Sequence, residues 1–232
     1  HAGIRTLVVA ADVSVSSKRE RDLRNGFTMA GRPTAGSVLD ALRHPGWLAR
    51  FLAGPRVAFG DQTADGRPMT LRQMEAFMEH ENASATWTDV AALRARWPGR
   101  IVVKGIMTPD DARAAMDVGA DAIYVSNHGG RQFDAQPSTV AALPDVDAAV
   151  AGRVPVLVDG GVRRGSDVVK MSALGADLCF VGRPVVYGLV AGGSAGARRV
   201  LDLLTEETAV ALAFTGTVTL SGCGPAVLSP LS

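Results

Sequence analysis

Short apolar runs rich in β-branched residues alternate along this chain with alanine-rich stretches whose apolar residues recur at helical spacing. Leu7 to Ala11 (LVVAA), Ile101 to Lys104 (IVVK), Ala122 to Ser126 (AIYVS), Val154 to Asp159 (VPVLVD) and Leu178 to Gly182 (LCFVG) predict strands. Their nearly continuous apolar character, without strict alternation, marks strands buried on both faces. Helices are predicted from about Pro109 to Val118, Pro137 to Val150, Ser166 to Leu174 and around Gly196 to Phe214. The first shows its ends most clearly. Thr108 stands at the N-cap and Pro109 at the first helical position, Asp110 and Asp111 favour the positive helix end, and Gly119 is placed to stop it. Gly175 is placed to stop the third.

Strands and helices in this alternation form parallel βα units, which build either a TIM-type barrel or an open doubly wound sheet. Polar and glycine residues follow every strand: Asp12, Lys104-Gly105, Asn127-His128-Gly129-Gly130, Asp159-Gly160-Gly161 and Gly182-Arg183. Barrel active sites are built at that face, which favours the barrel. About five βα units do not close an eight-stranded barrel. The expected fold is therefore an α/β, TIM (β/α)8-type barrel, incomplete in this chain and holding strands four to eight. Three further units are expected upstream of His1, where no starting methionine stands. Residues 1–232 read as the C-terminal part of one domain. From about 28 to 86 the chain is punctuated by Gly and Pro and has one short amphipathic candidate, Pro45 to Leu52. A loop of that length in a compact domain is usually a lid or a mobile segment.

Composition changes this picture little. Hydrophobic residues make up 47% and charged residues 20%, as in an ordinary soluble core, and the net charge of +1 gives no electrostatic case for nucleic acid or an anionic membrane surface. No apolar run reaches the roughly 18 residues needed to span a bilayer. Of the two cysteines, Cys179 lies in an apolar run and Cys223 in a Gly-rich tail. They do not read as a disulfide framework, so a reducing, cytoplasmic setting is expected, with peripheral membrane association left open.

The chemistry is concentrated in Ser126-Asn127-His128-Gly129-Gly130-Arg131-Gln132. A titratable base and a permanent cation stand three residues apart, just past a buried strand, with glycines between them that allow a tight turn. Oxidation of an α-hydroxy acid needs such a pair: a base to remove a proton and a guanidinium to hold the carboxylate through two prongs. A phosphate site is legible separately. Asp159-Gly160-Gly161-Val162-Arg163 and Gly182-Arg183 follow the last two strands. Barrels commonly bind phosphate there, glycine exposing backbone N–H groups and arginine adding counter-charge.

These motifs resemble the FMN-dependent α-hydroxy-acid dehydrogenase and oxidase family. The likeness rests on Ser126 to Gln132 with Asp134, on Asp159-Gly160-Gly161-Val162-Arg163-Arg164-Gly165, on Gly182-Arg183-Pro184, and on Asp12 with the run Lys18 to Phe27. It covers most of the chain in the family's order. The resemblance implies FMN as cofactor and oxidation of an (S)-2-hydroxy acid of the lactate, glycolate or mandelate class to the 2-oxo acid. It implies His128 as the base, Asp12 as the partner that stabilises its imidazolium, and Arg19 and Arg131 as the carboxylate clamp. Lys104 would lie beside the flavin N1 and C2 carbonyl. Ser126, Asp159, Gly160, Gly161, Arg163, Gly182 and Arg183 would hold the rest of the cofactor, and no metal is expected. Expected partners are the small hydroxy acid, the upstream barrel segment and further copies in a homo-oligomer, a tetramer by resemblance. Ala10-Ala11-Asp12 departs from the family's usual Thr-Val-Asp. An FMN-dependent isomerase of the same barrel type and a non-catalytic fragment are the alternatives.

Overall fold

The computed structural model describes residues 3–13, 20–26, 33–54, 70, 73 and 85–228. Two compact units divide the chain, one made of His1–Val13 and Ser84–Ser232, the other of Ser14–Ala83. The larger unit carries a sheet of β1 (Thr6–Ala10), β2 (Arg100–Ile106), β3 (Ala122–Val125), β4 (Val156–Val158) and β5 (Leu178–Cys179). Every pairing among them is parallel, and the order across the sheet is the order in sequence. A doubly wound sheet reverses its order at a switch point. No reversal occurs among the described strands, so the sheet is singly wound, like an arc of a barrel.

The smaller unit has helices α1 (Glu20–Arg24), α2 (Ala35–Arg43) and α3 (Pro45–Ala53). The larger has α4 (Trp87–Arg96), α5 (Pro109–Asp117), α6 (Thr139–Val150), α7 (Gly165–Ala173) and α8 (Arg183–Thr215). Helix α5 begins as its sequence requires, with Thr108 Oγ1 accepting the Asp111 N–H at 3.2 Å.

Period-two alternation assigns the two faces of the sheet. Ile101, Val103, Ile123, Val125, Val156 and Val158 point toward the helices and form the main core with Ala112 and Ala115 of α5, Leu143 and Val146 of α6 and Met171 of α7. Complete burial of such a side chain contributes about 1.5–3 kcal/mol, so this layer carries much of the stability. Val102, Ala122, Tyr124 and Leu157 form a second, smaller cluster on the opposite face. That face leads to the site.

Four features differ from the sequence-based expectations. Helix α4 lies in a stretch given no helix there, although Thr86 and Asp89 form its capping box. The stretch 28–86 holds α2 as well as the expected α3. Strand β4 ends early, because Gly160 (φ 91°) and Gly161 (φ 80°) turn the chain away after Asp159, and β5 stops at Cys179, its last partner on β4 being Val158. Helix α8 starts at Arg183, well before the expected Gly196, and is two helices joined at a kink at Gly192 and Gly193. The glycines that argue against a helix there permit a close crossing: a Cβ on Gly188 would stand 2.5 Å from the Gly196 carbonyl oxygen.

Candidate active site

Register places the candidate residues on one face. Lys104 pairs with Tyr124, Tyr124 with Leu157 and Leu157 with Leu178. Two residues further along their strands, Ser126, Asp159 and Phe180 share that parity and form the next layer, at the C-terminal strand ends. Lys104, Tyr124, His128, Arg131, Asp159, Gly160, Gly161, Arg163, Phe180, Gly182 and Arg183 line one cavity of about 390 Å³.

At the base end, His128 Nδ1 lies 2.5 Å from Asp12 Oδ2. The Asp12 side chain is 6% exposed and that of His128 30%, so the carboxylate is buried while the imidazole reaches the cavity. Asp12 Oδ1 is buried and takes no donor among the described residues, which leaves the carboxylate's charge to the histidine. Gly105 makes room for it. Its φ is 97°, it sits at an irregularity in the β2–β3 register, and a Cβ there would be 2.5 Å from Asp12 Cγ. Bulges next to active sites re-aim side chains in this way. His128 itself has a φ of 52°, which is uncommon for a residue with a side chain.

Behind the histidine runs a polar network. Lys104 Nζ donates to Ser126 Oγ at 2.6 Å and lies 3.4 Å from Asp159 Oδ2. Ser126, fully buried, donates to Asp159 Oδ1 at 2.8 Å and accepts the His128 N–H at 3.2 Å. Each charge in this low-dielectric layer therefore has a partner, as burial requires.

The two helices after β4 and β5 begin differently. Asp167 Oδ2 accepts the N–H groups of Arg163 and Arg164, each at 2.9 Å, and Glu207 Oε2 accepts that of Gly165 at 2.9 Å. The Gly165 N–H, and after it Arg164, hold the Glu207 carboxyl below its ordinary value. The start of α7 is thus closed by the protein's own carboxylates. Helix α8 has no side-chain cap, and Gly182, Arg183 and Val186 face the cavity. An anion therefore fits between the Gly160-Gly161 turn, the Arg163 side chain and the start of α8.

Nearly all the candidate residues come together. Asp12, Lys104, Ser126, His128 and Asp159 form one connected hydrogen-bonded set, and Arg131, Gly160, Gly161, Arg163, Gly182 and Arg183 line the adjoining cavity. Arg19 lies outside the described residues. Tyr124 and Phe180 join the cavity unforeseen, their ring centroids 5.0 Å apart. The apolar run gives Tyr124 only as a core residue, and its parity with Ser126 is the signal for its place. Burial pushes the Cys179 thiol up to about 11, so it is a protonated packing group and no nucleophile at neutral pH.

An anion slot after the last two strands, one cavity's length from a buried acid–base pair, is what a barrel needs to hold a phosphorylated cofactor beside a proton acceptor. Comparison with known proteins narrows this class. The sequence model of the FMN-dependent dehydrogenase family matches residues 1–230, and the chain belongs to that family. An L-lactate dehydrogenase of Vibrio parahaemolyticus is 41% identical over 225 residues, which is 95% of this chain and 59% of that protein. A putative L-lactate dehydrogenase of Mycobacterium tuberculosis is 39% identical over 224 residues, 97% of this chain and 53% of that one. Among solved structures, the monotopic membrane protein (S)-mandelate dehydrogenase matches with a TM-score of 0.91 and 36% identity, over 99% of this chain and 61% of its own. A putative lactate oxidase of Pediococcus acidilactici matches with a TM-score of 0.72 and 34% identity, over 94% and 52%. The chain thus spans between about half and three fifths of these relatives, and its sheet is part of a TIM-type barrel. Among the described residues no helix is long and apolar enough to cross a membrane.

Proposed function

We propose that the whole protein oxidises an (S)-2-hydroxy acid of the lactate, glycolate or mandelate class to the 2-oxo acid, with FMN as the acceptor. The observation that carries this reading is the buried Asp12 held 2.5 Å from His128 Nδ1, at the rim of a cavity whose far end suits a phosphate.

The residues present fit FMN. The Gly160-Gly161 turn, Arg163, Gly182 and Arg183 would hold its phosphate, since a Cβ at Gly161 or Gly182 would meet open space rather than protein. Lys104 and Ser126 would face the polar edge of its ring, where a fixed cation favours the reduced, anionic form. When bound, FMN supplies a two-electron acceptor next to the substrate's α-carbon.

The chain's own residues do the rest. The substrate loses two electrons and two protons, one from carbon and one from oxygen. With Nδ1 turned to Asp12, His128 has Nε2 left to accept a proton from the substrate. Asp12 stabilises the imidazolium as it forms, by the attraction of an opposite charge in a poorly solvated place. Arg131 clamps the carboxylate through the planar fork that only arginine offers. The thiols are unpaired, which supports a reducing, cytoplasmic location.

The test is anaerobic. The whole protein, loaded with FMN, is mixed in turn with (S)-lactate, glycolate and (S)-mandelate while the flavin absorbance is followed. At least one should bleach it. A flavin that none of them bleaches overturns the proposal.

A further inference from the structure

We propose that the larger unit carries a second anion site, at the opposite end of the sheet from the candidate active site. There Arg5, Arg96 and Arg100 hold a small anion that bears two or more phosphate groups. The proposal is independent of the flavin reaction.

A cavity of about 1260 Å³ lies where β1 and β2 begin. Arg5, Arg94, Arg96 and Arg100 line it, Trp97 forms part of its wall, and Asp121 is the only carboxylate among its described lining residues. Arg5 directly precedes β1 and Arg100 is the first residue of β2, while Arg96 ends α4. Lys104 stands four residues beyond Arg100 on the same strand. At about 3.3 Å per residue, roughly 13 Å of strand separates this cavity from the candidate active site.

One of the four arginines is engaged within the fold. Arg94 Nη1 donates to Asp121 Oδ2 at 2.8 Å, and its Nη2 donates to the Gly99 carbonyl at 2.6 Å and to the Trp97 carbonyl. The same Asp121 oxygen accepts the Ile101 N–H at 2.7 Å. The cavity's carboxylate therefore has no charge to offer the others. Arg5, Arg96 and Arg100 are exposed, and their side chains have no ion pair or hydrogen bond among the described residues. Three uncompensated guanidiniums thus meet at one cavity in a chain whose net charge is only +1. Like charges gathered in a concave place repel one another, and the protein wall focuses their field on an entering anion.

The backbone of the cavity is set before a ligand arrives. The Arg100 N–H donates to the Arg5 carbonyl at 2.8 Å, and Trp97 Nε1 donates to the Arg100 carbonyl at 3.2 Å. Gly99 lets these segments close, since a Cβ there would strike the Arg5 carbonyl oxygen and stand 2.8 Å from Trp97 Nε1. Binding then orders arginine side chains and little else, which lowers its entropic cost. Phosphate suits the donors. Each guanidinium fork takes two oxygens at once, and a diphosphate has oxygens enough for three forks. A monocarboxylate fills one fork and leaves two cations unpaired.

The experiment is isothermal titration and thermal melting of the FMN-loaded whole protein with inorganic pyrophosphate, so that the proposed cofactor slot is already filled. Pyrophosphate should bind, raise the melting temperature as its concentration rises, and bind more weakly as salt is added. Arg96→Gln and Arg100→Gln should each raise its Kd about tenfold, the size of one hydrogen bond between charged groups, with FMN retention as in the wild type. Neither side chain bonds a described residue, so both variants should melt as the wild type does when pyrophosphate is absent. Arg5→Gln replaces either one that does not fold. Arg113→Gln, on an exposed arginine of α5 outside the cavity, should leave the Kd unchanged. Absence of binding overturns the proposal, and so does binding that Arg113→Gln weakens as much as Arg96→Gln, which would be a diffuse charge effect. Pyrophosphate that binds only by displacing FMN overturns it as well. Co-sedimentation with phosphatidylglycerol vesicles, without pyrophosphate binding, would give the arginines to a lipid surface and overturns the small-anion site.

Discussion

Gly105→Ala isolates the contact on which the proposed base depends. The new methyl would stand 2.5 Å from Asp12 Cγ and Oδ1 and 2.7 Å from Asp12 Cβ. Rotating the carboxylate away does not relieve the last of these, so either Asp12 leaves the histidine or β2 shifts. The backbone adds a cost of about 1–2 kcal/mol, because a side chain at φ 97° is strained. Loss of a hydrogen bond between charged groups costs about 1.5–3 kcal/mol. If that stabilisation is felt by the imidazolium as it forms, flavin reduction slows by about 10- to 150-fold at 1.36 kcal/mol per decade. The proposed FMN phosphate site is built from other strand ends, so cofactor retention should be near normal. Anaerobic stopped-flow reduction, flavin retention on gel filtration and a thermal melt measure the three quantities. Asp12→Asn is the control: it removes the charge without crowding, so it should match the rate loss while keeping more of the stability. A folded Gly105→Ala protein reduced at the wild-type rate would refute both the crowding and the role given to Asp12.

Other expectations follow from the same geometry. His128→Ala should keep FMN but lose about 10²–10⁴-fold in flavin reduction, and stopped-flow traces near the wild-type rate would count against the base. Arg131→Lys keeps the charge and loses the fork, so kcat/KM should fall by up to about 100-fold with FMN affinity unchanged; steady-state kinetics with an unaltered kcat/KM would sink the clamp. Glu207→Gln should lower the melting temperature at pH 7. The folded-state carboxyl of Glu207 is held below its ordinary 4.5, so its contribution is present above that pH and fades as pH falls through the depressed value. Melting curves for the two proteins should therefore converge in acid, and a gap independent of pH would contradict the capping role.

The strands and the helices α5, α6 and α7 could be read from sequence because each carries its own signal: a run of buried β-branched residues, a cap, a stopping glycine. The site was legible for the same reason. Parallel βα units put all their C-terminal strand ends on one edge, so Asp12, Lys104, Ser126, His128 and Asp159 had to converge once the strands were known. What escaped depends on tertiary context. Helix α4 has no fully buried residue, and its start is announced by Thr86 and Asp89. The early half of α8 contains Gly188 and ends at Gly192 and Gly193, residues that local propensity counts against a helix, whereas close backbone packing requires Gly188. Tyr124 looks like any buried strand residue until the register sets its ring over Lys104.

The two ends of the site are not independent. The chain from His128 to Gly130 has φ values of 52°, 66° and 75°, and holding a histidine there costs about 1–3 kcal/mol. Several contacts offset that cost. Ser126 Oγ accepts the His128 N–H, Asn127 Oδ1 accepts the Gly129 N–H at 3.0 Å, and Asn127 Nδ2 donates to the Pro137 carbonyl at 3.1 Å. The fourth comes from the cofactor end: Arg183 donates to the Gly129 carbonyl oxygen, and a Cβ on Gly129 would meet its Nη2 at 2.5 Å. A guanidinium in the anion slot therefore also grips the loop that aims the base. The arginine proposed to hold the phosphate is thus also in direct contact with the loop that carries His128. A side chain at 129 would be strained at φ 66° and would strike that guanidinium, which accounts for a glycine directly after the histidine.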